Sequence, residues 1–218
     1  MRKAVISLGG SVIVPDRYDL DFLKKFKNLV FSFSKYKFIL ICGGGKLARD
    51  FQKEGRKIKL DNKKLDWLGI YATRLNAYVI RKIFNLKEEI IVDPTKKIKN
   101  SKISIAAGWK PGFSTDYDAV LFAKNSKSGM VVNVTNVDYV YDKDPKKYKN
   151  AKPIKEISWK EFRKLLSTKW KPGLNAPFDP LAAKEAEKLK LRVFIIGKDL
   201  NNLKNLLDGK KFKGTVIK

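Results

Sequence analysis

The sequence predicts an α/β protein built on a largely parallel β-sheet, and three observations carry that prediction. Short runs rich in Val and Ile alternate with amphipathic segments from end to end, the pattern of repeated strand–helix units. The runs are near-continuous in hydrophobicity, so their strands are to be covered on both faces, as in a parallel sheet. The chain has 218 residues, 44% hydrophobic and 11% aromatic, enough for a sizeable core and too apolar for a disordered chain. No internal repeat or long linker divides it, so a single domain over 1–218 is expected.

The elements follow in order. Ala4–Leu8 is the first strand, closed by Gly9-Gly10-Ser11, and the amphipathic segment Asp19–Ser34 is the first helix. Strand Phe38–Cys42 runs into Gly43-Gly44-Gly45, from which helix Lys46–Lys57 opens, and Lys63–Phe84 reads as a long helix. Glu89–Val92 and Lys102–Ala106 are short apolar strands. Helix Thr115–Ser126 has Ser114 or Thr115 for its N-cap and Asp116 and Asp118 in its first turn, where the helix dipole favours acids. Strand Met130–Val134 ends in the polar turn Thr135–Pro145. Helix Ser158–Leu166 comes next, then helix Pro180–Lys190, with Asp179 at the cap and Pro180 at the first helical position. Strand Arg192–Ile196, helix Asn201–Leu207 and strand Gly214–Ile217 complete the chain. The two irregular stretches, Tyr141–Pro153 and Ser167–Pro180, read as functional loops of the one domain.

Charge is the anomaly. Forty-eight Lys and Arg against 22 Asp and Glu give a formal net charge of +26, and only eight of the basic residues are Arg. Nucleic-acid grooves lean on Arg for base edges and planar contacts. Lys spread along a whole chain is the composition of a solvated surface, with non-specific binding of nucleic acid as its electrostatic side effect. The chain has no His, which excludes a Ser-His-Asp triad, a Cys-His pair and a His-ligated zinc site. The single Cys42 excludes an internal disulfide and a paired-cysteine redox centre. No apolar run reaches membrane-spanning length, and the one after Met1-Arg2-Lys3 is too short for a signal-peptide core. The expectation is a soluble, cytoplasmic protein.

Chemistry is to be sought at the turns that close the strands, because ligands of open α/β sheets bind at the strands' carboxyl ends. Gly9-Gly10-Ser11 lets backbone N–H groups approach an anion without an intervening Cβ, or simply makes a tight turn. Gly43-Gly44-Gly45 opens a helix, and Lys46 and Arg49 on its first turn add positive charge to the dipole's positive end. Its match to a dinucleotide fingerprint is formal, since it follows the second strand and no acidic residue closes the next. Asp116 and Asp118 beside a phosphate cradle call for a compensating cation, such as a nucleotide-borne Mg²⁺ or a Lys. Thr135 to Pro145 offers polar groups and two Tyr rings for a base and ribose. Two phosphate cradles with nearby carboxylates meet the needs of a phosphoryl transferase, whose work is positioning and charge neutralisation.

Read in order, these turns resemble the amino acid kinase superfamily and, within it, the archaeal-type uridylate kinases, over essentially the whole chain. The resemblance also rests on Leu65-Asp66-Trp67-Leu68-Gly69-Ile70 and on Asp179-Pro180-Leu181-Ala182-Ala183-Lys184. Its most specific blocks are Thr73-Arg74-Leu75-Asn76-Ala77 and Thr135-Asn136-Val137-Asp138. It implies a three-layer α/β/α sandwich with a mainly parallel central sheet, which transfers the γ-phosphoryl of ATP to UMP and yields UDP and ADP. Mg²⁺ would be carried by ATP rather than by a protein metal site, and the assembly would be a homo-oligomer, a hexamer. The part over about 1–125 would serve the acceptor and the part over about 126–218 the ATP. Gly9, Gly10, Ser11, Gly45 and Arg49 would hold the ATP phosphates and transferring group, and Thr135, Asn136, Tyr141 and Asp144 the adenosine half. Gly44 would approach the UMP phosphate and Asp66 the ribose, while Ser114, Thr115, Asp116, Tyr117, Asp118, Ala119 and Val120 would wrap the uridine nucleotide. Gly10, Arg49, Asp116 and Asp179 form the implied catalytic set, the two acids as orienters.

Three departures from the resemblance stand out. Ser7 stands where many superfamily members have a Lys, Phe113 where relatives often have a His, and Tyr117-Asp118 where small apolar residues are usual. Lys46 or Arg49 would then supply the cation missing at Ser7. A different small-molecule phosphate acceptor, such as isopentenyl phosphate, is the nearest alternative, although such kinases use a His that this chain lacks. A non-catalytic nucleotide- or polyanion-binding protein on the same fold is the alternative from another class.

Overall fold

We describe residues 1–145, 147–166 and 177–218 of a computed structural model of the chain. The central sheet has seven strands in the order β3-β2-β1-β4-β8-β9-β7. These are β1 (Arg2–Leu8), β2 (Tyr36–Cys42), β3 (Ile103–Ala106), β4 (Met130–Val134), β7 (Glu156–Ile157), β8 (Arg192–Ile196) and β9 (Thr215–Ile217). Every pairing is parallel except β8 with β9. A two-stranded antiparallel arm, β5 (Val140–Tyr141) with β6 (Pro153–Ile154), stands apart from it.

The sheet is covered on both sides, which is why the middles of its inner strands are largely apolar on both faces, with Ser7 of β1 and Asn133 of β4 as polar exceptions. Ala4, Ile6 and Leu8 of β1 join one core with α2 (Leu20–Ser32), α4 (Asn62–Phe84) and α8 (Leu200–Leu207). Val5 of β1, with Ile39 and Ile41 of β2, joins the other core with α5 (Thr115–Ser126), α6 (Trp159–Leu165) and α7 (Pro180–Lys188). The result is the three-layer sandwich with a mainly parallel sheet that the sequence predicts. Except for the helices that start at Gly10 and Gly45, the described helices begin on side-chain caps that satisfy first-turn N–H groups. Asp61 accepts from Lys64 N at 2.8 Å, Ser114 from Tyr117 N at 3.2 Å and Asp179 from Ala182 N at 2.7 Å. Ser158 and Glu161 form a reciprocal capping box at α6.

Four features differ from the sequence reading. Glu89–Val92 forms only a single bridge, Ile91 to Ala106, because Asp93 turns the chain and Pro94 brings no N–H for a further rung. Gly10–Ile13, expected to begin as a plain turn, is the short helix α1. Strands β5, β6 and β7 have two residues each, too few to carry an alternation pattern. Strand β9 pairs antiparallel with β8 and parallel with β7, so β9 and β7 run against the other five strands. Residues 167–176 of the loop expected over Ser167–Pro180 lie outside the described residues. Among the described residues no helix is long and apolar enough to cross a membrane.

Candidate active site

A cleft of about 520 Å³ opens at the carboxyl ends of β1 and β2. Its floor is two glycine loops in direct contact. A Cβ on Gly10 would lie 1.8 Å from the Gly45 nitrogen, and one on Gly43 would lie 2.4 Å from the Gly10 nitrogen. Gly45 has φ +62°, and a Cβ there would meet the Gly10 carbonyl oxygen at 2.2 Å. No side chain fits at these positions, so the backbones of both loops border the cleft. Helix α3 (Gly45–Lys57) starts there, directing its dipole's positive end at the cleft.

The block Thr73 to Ala77 holds these loops from the side. Asn76, fully buried on α4, donates from Nδ2 to the carbonyls of Gly43 at 2.8 Å and Gly44 at 3.1 Å, and accepts from Tyr18 Oη at 2.9 Å. Thr73 Oγ1 accepts from Gly108 N at 2.9 Å and donates to Ile70 O at 2.6 Å. Arg74 donates to the carbonyls of Gly108 and Trp109 while lying over the rings of Trp67 and Tyr71. Three residues of one helix thus tether the second glycine loop and the segment after β3. The resemblance marked this block without giving these side chains a job.

Of the two cations proposed for the gap at Ser7, Arg49 lines the cleft. Lys46 instead pairs with Asp50 at 2.5 Å, a hydrogen bond that raises the pKa of its ammonium group. On the opposite wall Asp66 accepts from Gly112 N at 2.8 Å, and burial raises its pKa against that bond. Phe113 also lines the cleft, within a stack of three rings. Trp109 lies 5.6 Å from Phe113, Phe113 lies 4.7 Å from Tyr117, and Lys110 Nζ sits 3.8 Å from the Trp109 ring centre.

Three acids gather at the start of α5 and α7. Asp116 Oδ1 accepts from Ser7 Oγ at 3.2 Å and from Asn133 Nδ2 at 3.4 Å. Ser7 and Asn133 are register partners on β1 and β4, so adjacent strands present both donors side by side. Burial, then the charge of Asp179, raises the Asp116 pKa to about 7, against the Ser7 hydroxyl and the Asp179 N–H. Asp118 is wholly buried; Oδ2 accepts from Trp109 N at 3.1 Å, whereas Oδ1 has no partner among the described residues. Burial raises its pKa to about 8, and the negative charges of Asp116 and Asp179 add to this. Desolvation also raises Asp179, against the Ala182 and Leu181 amides and the Ser114 hydroxyl, and its Oδ2 is likewise unpartnered among the described residues.

Of the residues singled out in the sequence, Gly10, Ser11, Gly44, Gly45, Arg49, Asp66, Ser114, Thr115, Thr135 and Asn136 share this one cleft. Gly9 sits below it, where a Cβ would meet the Val134 carbonyl at 2.9 Å. Tyr117 belongs to the ring stack, and Asp116, Asp118 and Asp179 to the acid cluster. Ala119 and Val120 are fully buried in the core under α5; because the segment is helical, its second turn faces the sheet rather than the cleft. Tyr141 closes β5, and Asp144 follows in the arm, away from the cleft lining. Gln52, Gly69, Ile70, Thr73 and Gly108 line the cleft without having been anticipated. Only the spacing of the 65–77 block gave any sign of them.

A carboxyl-end cleft floored by interlocked glycine loops, on a three-layer sheet, defines a class. The family model described as the amino acid kinase family matches residues 2–197, and the chain belongs to that family. It is 37% identical to a uridylate kinase of Thermoplasma volcanium over 94% of this chain and 93% of that protein, and 36% identical to one of Thermoplasma acidophilum over 98% and 95%. The crystal structure of a uridylate kinase from Archaeoglobus fulgidus superimposes with a TM-score of 0.86 at 30% identity, covering 100% of both chains. A UMP kinase from Ureaplasma parvum, at 20% identity and a TM-score of 0.80 over 99% and 98%, shares the fold. These relatives bear out the resemblance to archaeal uridylate kinases read from the sequence.

Proposed function

We propose that the protein transfers the γ-phosphoryl group of ATP to UMP, giving UDP and ADP. The observation that carries this reading is the single cleft in which two interlocked glycine loops and Arg49 face Asp66 and Ser114. A phosphoryl group in flight spreads negative charge over its equatorial oxygens, and backbone N–H groups, a helix N-terminus and a guanidinium answer it. Gly9, Gly10, Ser11, Gly45 and Arg49 take the ATP phosphates; Gly44 takes the UMP phosphate and Asp66 the ribose. The first turn of α5, with Ser114, Thr115 and Asp116, closes over the uridine nucleotide. Thr135 and Asn136, with Tyr141 and Asp144 on the arm, serve the adenosine. On this reading the acceptor is held by the part before about residue 125 and the adenosine by the rest, while the glycine loops of the first part also hold the ATP phosphates.

An oxygen of the UMP phosphate forms the new P–O bond as the bond to the ADP leaving oxygen breaks. That phosphate oxygen is already ionised at neutral pH, so no general base is required. Asp116 and Asp179 act as orienters. Asp179 Oδ2, without a partner among the described residues and beside the raised carboxyl of Asp116, fits a Mg²⁺ that arrives on ATP, which would neutralise the phosphates. No group of three or more acidic, His or Cys ligands forms a cage among the described residues. The same reading makes the enzyme a cytoplasmic hexamer. Tyr71, Leu75 and Tyr78, each 46–59% exposed along one side of α4, supply an apolar surface for a neighbouring copy.

The test is ADP release from Mg-ATP with UMP, CMP, dUMP and isopentenyl phosphate, with RNA as competitor. Preference for UMP, unaffected by RNA, is expected. Turnover only with another phosphate would transfer the assignment to that acceptor, with Phe113 and Tyr117 as the residues that changed it. Nucleotide binding without turnover would make the protein a binding module on this fold.

A further inference from the structure

A second pocket, of about 190 Å³, lies at the opposite edge of the sheet. Strands β1 and β2 start there, and α5 ends there at Ser126. Its lining contains Lys3, Lys37, Lys97 and Lys99 and no Asp or Glu. Lys3 and Lys37 are direct register partners on adjacent strands, and like charges placed directly opposite destabilise a sheet. None of the four lysines has an ion-pair partner among the described residues. Neutral groups meet them only in part: Lys3 Nζ donates to Ser126 O at 2.6 Å, and Lys37 Nζ donates to Asn100 Oδ1. An ammonium group has three protons to donate, so most of these donors, on lysines that reach solvent at Lys3, Lys97 and Lys99, have no acceptor among the described residues.

The pocket is built rather than incidental. Asn125 Nδ2 holds the wall loop through the carbonyls of Pro94 at 2.8 Å and Lys96 at 2.7 Å, and Asn100 is held by Lys37. Ser104 lines the floor at only 6% exposure, and its hydroxyl takes no partner among the described residues. The volume is below that of sites for drug-sized ligands, which run to several hundred cubic ångströms. Its size suits one or two phosphate groups.

We propose that this pocket is a second anion site, which takes one or two phosphate groups. They come either as free phosphate or pyrophosphate or as the tail of a nucleotide whose base stays outside. The site lies at the far edge of the sheet from the cleft, and the proposal does not depend on which acceptor the cleft phosphorylates. A bound anion relieves the repulsion between Lys3 and Lys37, so occupancy also stabilises the sheet edge.

The experiment is lysine acetylation read by mass spectrometry on the full chain, with and without sodium pyrophosphate. Calorimetric titration of pyrophosphate into variants accompanies it. Pyrophosphate is expected to slow acetylation of Lys3, Lys37, Lys97 and Lys99 by about threefold or more, leaving exposed Lys210 and Lys211 unchanged. Lys97→Gln/Lys99→Gln, in the wall loop, is expected to weaken binding about tenfold, while Lys210→Gln/Lys211→Gln, with the same charge loss, leaves it intact. Equal protection at all six lysines, or equal weakening by both double variants, would overturn the proposal in favour of diffuse attraction to a +26 chain. Repeating the footprint with ATP on Arg49→Ala separates the sources. Protection there assigns the site to a nucleotide tail, protection by pyrophosphate alone assigns it to the free anion, and protection by neither removes the site.

Discussion

Asp116 is the point where burial and hydrogen bonding oppose each other in one carboxyl group. With its pKa raised to about 7, it is about half protonated at neutral pH, and Ser7 is the side chain that restrains the rise. Ser7→Ala is predicted to move the acid limb of the kcat/KM profile to higher pH; an unmoved limb would detach Ser7 from the mechanism. Asp116→Asn is expected to lower kcat at least as strongly as it raises KM, the signature of a group positioned at the transition state. Arg49→Ala should cost about 100-fold or more in kcat, as for loss of a charge-stabilising donor. Lys46, engaged with Asp50, should be dispensable in the same assay.

Asp118 gives a stability prediction with a definite sign. Its folded pKa, about 8, lies above that of an unfolded Asp, so the folded state holds the proton more tightly. Stability from this group is full below about pH 4 and declines as pH rises towards 8, where the buried carboxyl must ionise. Asp118→Asn should therefore raise the melting temperature of the ligand-free protein at pH 8 by about 2–4 °C or more, and by less at pH 5. A substitution that destabilises equally at both pH values would show that the carboxylate is compensated after all. These residues were unequally legible in the sequence. Asp116 and Ser7 stand at turns and departures that draw attention, but Asn133, which completes their cluster, lies inside an apolar strand run where nothing marks it.

At the scale of elements, α4 is the organiser of the site. Its Asn76 joins Tyr18 to both Gly43 and Gly44, and truncation would remove the side-chain partner of the buried Gly43 carbonyl and of the Tyr18 hydroxyl, while the Gly44 carbonyl keeps Ala48 N. Asn76→Ala is predicted to destabilise the fold by about 1–3 kcal/mol and to raise KM for both substrates. Destabilisation with unchanged KM would separate the helix from the cleft. All seven helices expected from periodicity are present, as are six of the seven expected strands, because each buries a regular stripe or run. What escaped reading has a physical reason in each instance. Helix α1 is four residues long, and the arm is held by a distant group: Thr215 Oγ1 accepts from Val140 N at 2.9 Å and donates to Ile154 O. Helix α4 itself was visible, but its tethering role was not, since hydrogen bonds to backbone carbonyls leave no pattern in the residues that accept them.

The whole molecule is dominated by its charge. The few ion pairs among the described residues lie mostly at the surface, such as Lys57 with Glu54 and Lys64 with Asp61, and pairs of that kind contribute little each. They leave most of the lysines facing solvent. Assembling copies of a +26 chain builds repulsion that counterions or bound nucleotide must screen. The proposed oligomer is predicted to tighten with added salt or nucleotide, measured by sedimentation over about 20–300 mM salt, a range in which the screening length falls severalfold. Dissociation on raising salt would mean that opposite charges across the interface outweigh the net repulsion.

The contact between the two glycine loops has a consequence for how this protein can change. Backbone meets backbone at Gly10, Gly43 and Gly45, leaving no side chain there to trade for another, and any residue larger than glycine at one position forces a shift in the opposite loop. The floor of the cleft is therefore closed to gradual variation. Change is open instead at side chains that stand clear of that joint, such as Phe113 in the ring stack and Asp66 on the facing wall. Diversification on this scaffold is thus confined to the walls, and the departure at Phe113 falls there.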